Sequence, residues 1–70
     1  MGNFIGCDTY GKPLKLGDTA EVMQGAGIGT KGKIKSSIGG YIFIDAGDKI
    51  IRTRGPCVIL LESAPEVLFG

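Results

Sequence analysis

The sequence contains no histidine and no tryptophan, and its 8 basic and 7 acidic residues leave a net charge of only +1. Histidine is the most common acid–base catalyst and a frequent metal ligand, so its absence weighs against an enzyme or a metalloprotein. We therefore expect no catalytic residue, no metal and no cofactor. The near-neutral charge also excludes the strongly basic class of nucleic-acid binders.

Cysteine and long apolar runs are also scarce. Cys7 and Cys57 are the only cysteines, and no apolar run approaches the ~20 residues that a membrane-spanning helix needs. The N-terminus lacks the basic segment and apolar core of a signal peptide. We therefore expect a cytoplasmic protein without membrane contact, in which both thiols are reduced and buried as small apolar groups.

Glycine and β-branched residues, in contrast, are abundant. The chain has 13 glycines among 70 residues, and they separate short segments rich in isoleucine. β-branched side chains favour strands, and closely spaced glycines are typical of the turns of small all-β folds. A chain of this length supports one domain, residues 1–70.

Alternating apolar residues bounded by turn residues predict five strands, at residues 19–24, 32–37, 41–45, 49–53 and 57–61. The last of these is nearly all apolar, so we expect it to be buried on both faces. In the third strand, either Ile42 and Ile44 or Tyr41 and Phe43 face the core. Cross-strand core packing is the use that we expect for Phe43.

The C-terminal residues 62–70 form an apolar tail that contains Val67, Leu68 and Phe69. Three large apolar side chains favour burial, so we expect this tail to dock on the rest of the domain or on a partner. Five short strands without a helix predict a closed or partly open small barrel, because exposed strand edges promote aggregation.

Residues 17–34 carry the most informative pattern of the chain. A Gly-Asp pair precedes alternating apolar residues, spaced glycines and a second apolar strand: Gly17, Asp18, Ala20, Val22, Gly25, Gly29, Gly32 and Ile34. This segment resembles the KOW motif of SH3-like barrels, found in a ribosomal protein of the large subunit and in transcription elongation factors. The resemblance implies a five-stranded SH3-like barrel that contacts RNA or a protein surface through the loop after the first motif strand.

The loop that KOW motifs fill with basic residues reads Ala-Gly-Ile-Gly-Thr in this chain. Positive charge appears instead on two segments where basic residues alternate along a strand and so share a face. We interpret these residues as a candidate nucleic-acid-binding set, with an ordinary solvated strand face as the alternative. The set comprises Lys31, Lys33, Lys35, Arg52 and Arg54.

Two further residues are candidates for contact with a partner. Ile28, at the tip of the glycine-rich loop, either folds back onto the domain or is offered to a protein surface. Tyr41 provides a stacking platform if it faces outward. A second copy of the chain is another candidate partner, because small apolar barrels often self-associate to cover an edge.

Two features that suggest catalysis have structural explanations. Residues 27–33 match the spacing of a phosphate-binding loop, but Ile34 replaces the hydroxyl residue that binds magnesium. Asp18, Asp45 and Asp48 lie at predicted turns, where aspartate commonly bonds to the backbone. We predict a non-enzymatic binding module that docks on RNA or on a ribosome- or RNA polymerase-type machine. The alternative is a protein–protein adaptor or inhibitor of phage or mobile-element type.

Overall fold

The computed structural model describes residues 4–64 and contains seven strands and one turn of 3₁₀ helix. The strands are β1 (Phe4–Cys7), β2 (Pro13–Lys15), β3 (Thr19–Val22), β4 (Lys31–Ile38), β5 (Tyr41–Asp45), β6 (Ile50–Thr53) and β7 (Val58–Glu62), and the 3₁₀ turn is Gly55–Cys57. The predicted all-β class is confirmed. Of the predicted tail, only Glu62, Ser63 and Ala64 belong to the described residues, so the predicted docking of Val67, Leu68 and Phe69 lies outside them.

Five strands form one antiparallel sheet in the order β6-β5-β4-β3-β7, and β1 and β2 form a separate two-stranded sheet. Strands β3 to β6 follow one another as hairpins, and the 3₁₀ turn then returns the chain so that β7 pairs with β3. This order is compatible with a small barrel, although no described pairing joins the edge strands β6 and β7. The hairpin predicted across the glycine-rich loop is confirmed by the pairing of β3 with β4.

The core lies on one face of the five-stranded sheet, which we call the inner face. Its fully buried apolar residues are Leu14, Ala20, Val22, Ile34, Ile42, Ile44 and Val58. Burial of a valine, leucine or isoleucine side chain contributes about 1.5–3 kcal/mol, so this cluster is a main source of the stability of the fold. Ile42 and Ile44 point inward, which resolves the choice left open for β5. The core position predicted for Phe43 is therefore wrong, because Phe43 alternates with them and lies half-buried on the outer face.

Two other burial predictions are wrong. In β7 only Val58 is fully buried and Leu61 is exposed, because β7 is an edge strand that offers only one face to the core. Cys7 is exposed and Cys57 is half-buried, and both are free thiols. Cys7 lies at the end of β1, which belongs to the small sheet and not to the core.

Two buried aspartates, Asp8 and Asp18, hold distant parts of the chain together. Asp8 accepts hydrogen bonds from the backbone N–H groups of Tyr10 and Lys12 and, across 52 residues, from that of Leu60 in β7. Both aspartates are at least nine-tenths buried, with exposed fractions of 4% and 0%. The sequence-based interpretation of Asp18 as a simple turn residue is therefore incomplete.

Asp18 has a similar set of partners. Its carboxylate accepts hydrogen bonds from the backbone N–H of Lys15 at 3.0 Å and from that of Ala64 at 2.7 Å, and it forms a salt bridge of 3.1 Å with the Lys15 ammonium. Burial by itself raises the pKa of this carboxyl, but the bonds from Ala64 and Lys15 outweigh it and the pKa is lowered. Burial also acts against ionisation of Asp8, whose pKa is nevertheless lowered by its three backbone donors.

The lowered pKa values of Asp8 and Asp18 predict acid-induced destabilisation. A carboxyl whose pKa is lower in the folded state contributes stability above its unfolded pKa, ~3.9, and loses it as the pH falls through the folded value. We expect the free energy of unfolding, measured by urea denaturation, to be flat from about pH 7 to 5 and to fall below about pH 4. Asp8→Asn should reduce the slope below about pH 4, and a wild-type protein as stable at about pH 3 as at about pH 7 would contradict the prediction.

Candidate functional site

The five basic candidate residues all lie exposed on the outer face of the sheet or at its edge. In β4, Lys31, Lys33 and Lys35 are exposed, whereas Ile34 between them is buried in the core. The alternation of β4 therefore directs the three lysines to the side opposite the core. Arg52 in β6 is exposed as well, directly across from Phe43 of β5.

Arg52 and Arg54 converge on a single aromatic ring. Their guanidinium carbons lie 5.0 and 5.1 Å from the centre of the Tyr41 ring, within the range of cation–π attraction. Arg54 follows the end of β6 but keeps extended backbone angles, φ −121° and ψ 155°, so it remains on the same side as Arg52. We call these three residues the arginine–tyrosine cluster.

The electrostatics of the arginine–tyrosine cluster favour negative charge. Hydrogen bonding by Arg54, followed by the positive charges of Arg54 and Arg52, holds the pKa of the Tyr41 hydroxyl below its ordinary value. The same positive field favours an external anion at this position. Within residues 4–64 the one salt bridge is the Lys15–Asp18 pair, so neither arginine is neutralised by a described carboxylate in direct contact.

Lys31 and Lys33, in contrast, have carboxylates as cross-strand neighbours. The register places Lys31 opposite Glu21 of β3 and Lys33 opposite Asp45 of β5. Side chains of directly opposite residues share a face and lie close together. Negative charge therefore lies beside both lysines on the neighbouring strands, although neither pair is within salt-bridge distance, and the five basic residues do not form one uninterrupted patch.

Lys35 lies at a β-bulge, between Ile34 and Ser36, where the register of β4 against β5 shifts. The bulge opens a shallow groove of about 210 Å³ on the outer face. We call it the Phe43 groove, and its lining residues are Lys35, Ser36, Ile38, Phe43 and Ile50. Because Phe43 lies beside Tyr41 along the face and opposite Arg52, the groove continues the arginine–tyrosine cluster.

The sequence did not identify the apolar residues of this groove as site residues. Ile38 and Ile50 are exposed, and Phe43 is half-buried. The outward position of Phe43 could have been predicted from the alternation of β5, because Phe43 must face outward once Ile42 and Ile44 face inward. No comparable pattern indicates Ile38, which is exposed because it precedes the tight Gly39-Gly40 turn.

Ile28 is exposed to 67% at the tip of the β3–β4 loop. The neighbouring Gly27 lies against the side chain of Ile51 in β6, with its φ at 85° and no room for a side chain. The backbone of the loop is thus packed against the sheet, while Ile28 itself points away from it. Of the two alternatives for Ile28, the folded-back one is not observed.

A wider groove of about 500 Å³ lies on the other side of Lys33, lined by residues that include Lys31, Thr19 and the turn at Ala46 and Gly47. It is shallow, and Asp45 lies in its lining together with Lys31 and Lys33. In the described part of the chain, no three potential metal-ligating side chains come together. Nor does any helix there reach the length and apolarity needed to cross a bilayer.

Comparison with known proteins adds no assignment to this geometry. No protein-family model matches the chain, and no curated protein is significantly similar to it.

Proposed function

We propose that the protein is a non-enzymatic binding module that docks on RNA, free or within a ribonucleoprotein, through the arginine–tyrosine cluster and Lys35. The observation that carries the proposal is the convergence of two guanidinium groups on the half-buried ring of Tyr41, on the outer face of the sheet. Guanidinium groups bind phosphate with paired donors and stack on aromatic rings or bases, which makes arginine well suited to RNA. The ring holds both arginines in place before RNA arrives, so less side-chain entropy is lost on binding.

The Phe43 groove supports binding of a single strand rather than a duplex. Unpaired bases stack on aromatic and guanidinium planes, whereas a duplex hides its bases. Phe43 and Ile38 offer an apolar surface directly beside the phosphate-binding arginines. We assign a lesser role to Lys31 and Lys33, because Glu21 and Asp45 lie opposite them and disfavour an approaching phosphate.

The resemblance to KOW motifs is consistent with this function but implies a different contact region. In that family the loop after the first motif strand carries the basic residues. In this chain the loop offers Ile28, and the two arginines that meet on the Tyr41 ring lie across the sheet. We propose that the outer face near Tyr41 has taken over the role of the basic loop.

A salt series with labelled single-stranded RNA tests the proposal. With a fluorescein-labelled oligouridylate, we expect Arg52→Ala and Arg54→Ala each to weaken binding about tenfold at about 50 mM salt. Each variant should also lower the slope of log K against log[salt] by ~0.7, because one phosphate contact is lost. Fluorescence anisotropy measures both quantities.

Lys12→Ala is the matched control, because Lys12 is also an exposed basic residue. It lies in the loop before β2, which belongs to the two-stranded sheet and not to the sheet that carries the arginines. It should leave the affinity and the slope within about twofold of the wild type. If both arginine variants bind the RNA as the wild type does, the proposal is wrong.

The second candidate function, a protein–protein adaptor or inhibitor, is favoured by the exposure of Ile28. An isoleucine at the tip of a loop whose backbone is packed against the sheet is a suitable anchor for a protein pocket. A pull-down from native lysate with and without nuclease separates the two functions. A partner that survives nuclease and high salt and is lost in Ile28→Asp supports the adaptor, whereas nuclease-sensitive capture supports RNA docking.

A further inference from the structure

The two edges of the five-stranded sheet differ in how they are covered. At the β7 edge, the N–H of Thr9 donates to the carbonyl oxygen of Val58 at 2.8 Å. The N–H of Leu60 donates to the Asp8 carboxylate at 2.9 Å. These bonds occupy two of the outward-facing backbone groups of β7, so this edge is partly protected against pairing with another strand.

The β6 edge has no such cover in the described residues. The turn between β5 and β6 is closed by a hydrogen bond from the N–H of Ala46 to the carbonyl of Lys49. Hydrogen-bonded pairs alternate along an antiparallel ladder, so the next ones are Ile44 with Ile51 and Ile42 with Thr53. The N–H and C=O groups of Ile50 and Arg52 therefore point away from the sheet. No described backbone or side-chain group bonds to them.

We propose that β6 pairs antiparallel with β6 of a second copy of this chain, with Ile50 of each copy opposite Arg52 of the other. Outward-facing residues must oppose one another for the ladder to form, which limits the register to a few choices. Direct pairing of Arg52 with Arg52 places like charges together and is disfavoured. Pairing of Ile50 with Ile50 places Arg52 opposite Asp48 of the other copy, which lies in the turn outside β6, so the backbone groups of Arg52 find no strand to bond to. In the proposed register the outward-facing backbone groups of Ile50 and Arg52 in each copy all face residues of β6 in the other copy.

The charges at the two ends of β6 agree with this antiparallel arrangement. The turn before β6 carries Asp45 and Asp48 with Lys49, and the other end carries Arg52 and Arg54. Antiparallel pairing brings the acidic turn of each copy next to the basic end of the other. A parallel arrangement would bring like ends together, so the charge pattern selects the two-fold symmetric dimer.

Ile50 provides the apolar contact in this interface. It is exposed to 51% on the outer face, and the proposed register places it beside the aliphatic stem of Arg52 of the second copy. The interface extends the sheet sideways and leaves the outer faces of both copies open. The proposal does not depend on RNA binding, and either can fail without the other.

Sedimentation velocity of the full chain over about 5 to 500 μM tests the proposal, and two variants of one residue isolate the backbone contribution. Arg52→Thr removes the arginine but keeps the N–H, and Arg52→Pro also removes the N–H, which makes no bond within the sheet. We expect the wild type and Arg52→Thr to dimerise with rising concentration, and Arg52→Pro to weaken the dimer about tenfold or more. A wild type that is monomeric throughout this range overturns the proposal, as does equal dimerisation of the two variants.

A second pair of variants avoids proline, which could prevent folding. Ile50→Lys places an ammonium group opposite Arg52 of the second copy, whereas Ile38→Lys makes the same change two strands away from the edge. Both side chains are exposed, so both variants should fold, as checked by circular dichroism. We expect Ile50→Lys alone to shift the equilibrium to monomer. Equal effects of the two substitutions, or none from Ile50→Lys, contradict pairing through β6.

Discussion

An Asp18→Ala variant is expected to lose most of the stability of the fold. The carboxylate of Asp18 is fully buried and accepts hydrogen bonds from Lys15 and Ala64. Its removal leaves two backbone donors without their acceptor at a buried position, and it leaves the Lys15 ammonium, whose side chain is 31% exposed, without its ion-pair partner. Each lost bond to a charged group costs about 1.5–3 kcal/mol, and we expect a total loss of about 3 kcal/mol after partial relaxation.

That loss is large for a domain of this size. A single core in a chain below about 70–80 residues rarely supplies more than about 3–5 kcal/mol. Urea denaturation followed by circular dichroism measures the loss as a shift of the midpoint. Asp45→Ala is the control, because Asp45 is exposed and its carboxylate accepts one hydrogen bond, from Gly47, in a turn. We expect it to cost about 1 kcal/mol or less.

An Asp18→Ala protein as stable as Asp45→Ala would show that the Asp18 network contributes little. Asp18→Asn gives an intermediate test, since the amide retains one oxygen acceptor but loses the charge. We expect its midpoint to lie between those of wild type and Asp18→Ala.

Gly32→Ala is the second substitution with a large expected effect. Gly32 lies in β4 with its α-carbon facing inward, and an added β-carbon would overlap the carbonyl oxygen of Asp45 and lie 2.9 Å from a methyl group of Ile44. A backbone oxygen held in a sheet cannot move aside as a flexible side chain can. We expect β4 and β5 to separate locally and the protein to lose about 3 kcal/mol, the upper range for overpacked cores.

Gly25→Ala is the matched control for Gly32→Ala. Gly25 has a φ of 82° but open space around the added β-carbon, so alanine meets only backbone strain there. That strain costs about 1–2 kcal/mol. Comparing the two thermal midpoints separates a steric requirement for glycine from a conformational one. A Gly32→Ala protein more stable than Gly25→Ala would refute the close approach of β4 to Asp45.

Strands β3 to β6 were predictable because local patterns determine them. Apolar alternation directly after the tight Gly39-Gly40 turn places β5 at Tyr41–Asp45 as predicted. The same period correctly placed Arg52 and Arg54 on one side. Their meeting with Tyr41 could not be predicted, since it depends on the register between β5 and β6, which the sequence does not specify directly.

The buried aspartates show where local patterns are insufficient. Asp8 and Asp18 have the sequence context of ordinary turn residues, yet each accepts a bond from a donor 52 or 46 residues away. β7 was misjudged for a related reason. An apolar run suggests burial on both faces, but its place at a sheet edge, which exposes Leu61, follows from the overall topology.

The pairing of β7 with β3 sets the order in which a nascent chain can fold. β3 ends at Val22 and β7 begins at Val58, so β4, β5 and β6 are synthesised before the partner strand of Ala20 and Val22 exists. During that interval the inner side of the meander is open to water and to chaperones. We therefore expect the domain to gain its native stability late, once β7 as far as Glu62 is free to pair with β3, and not gradually during elongation.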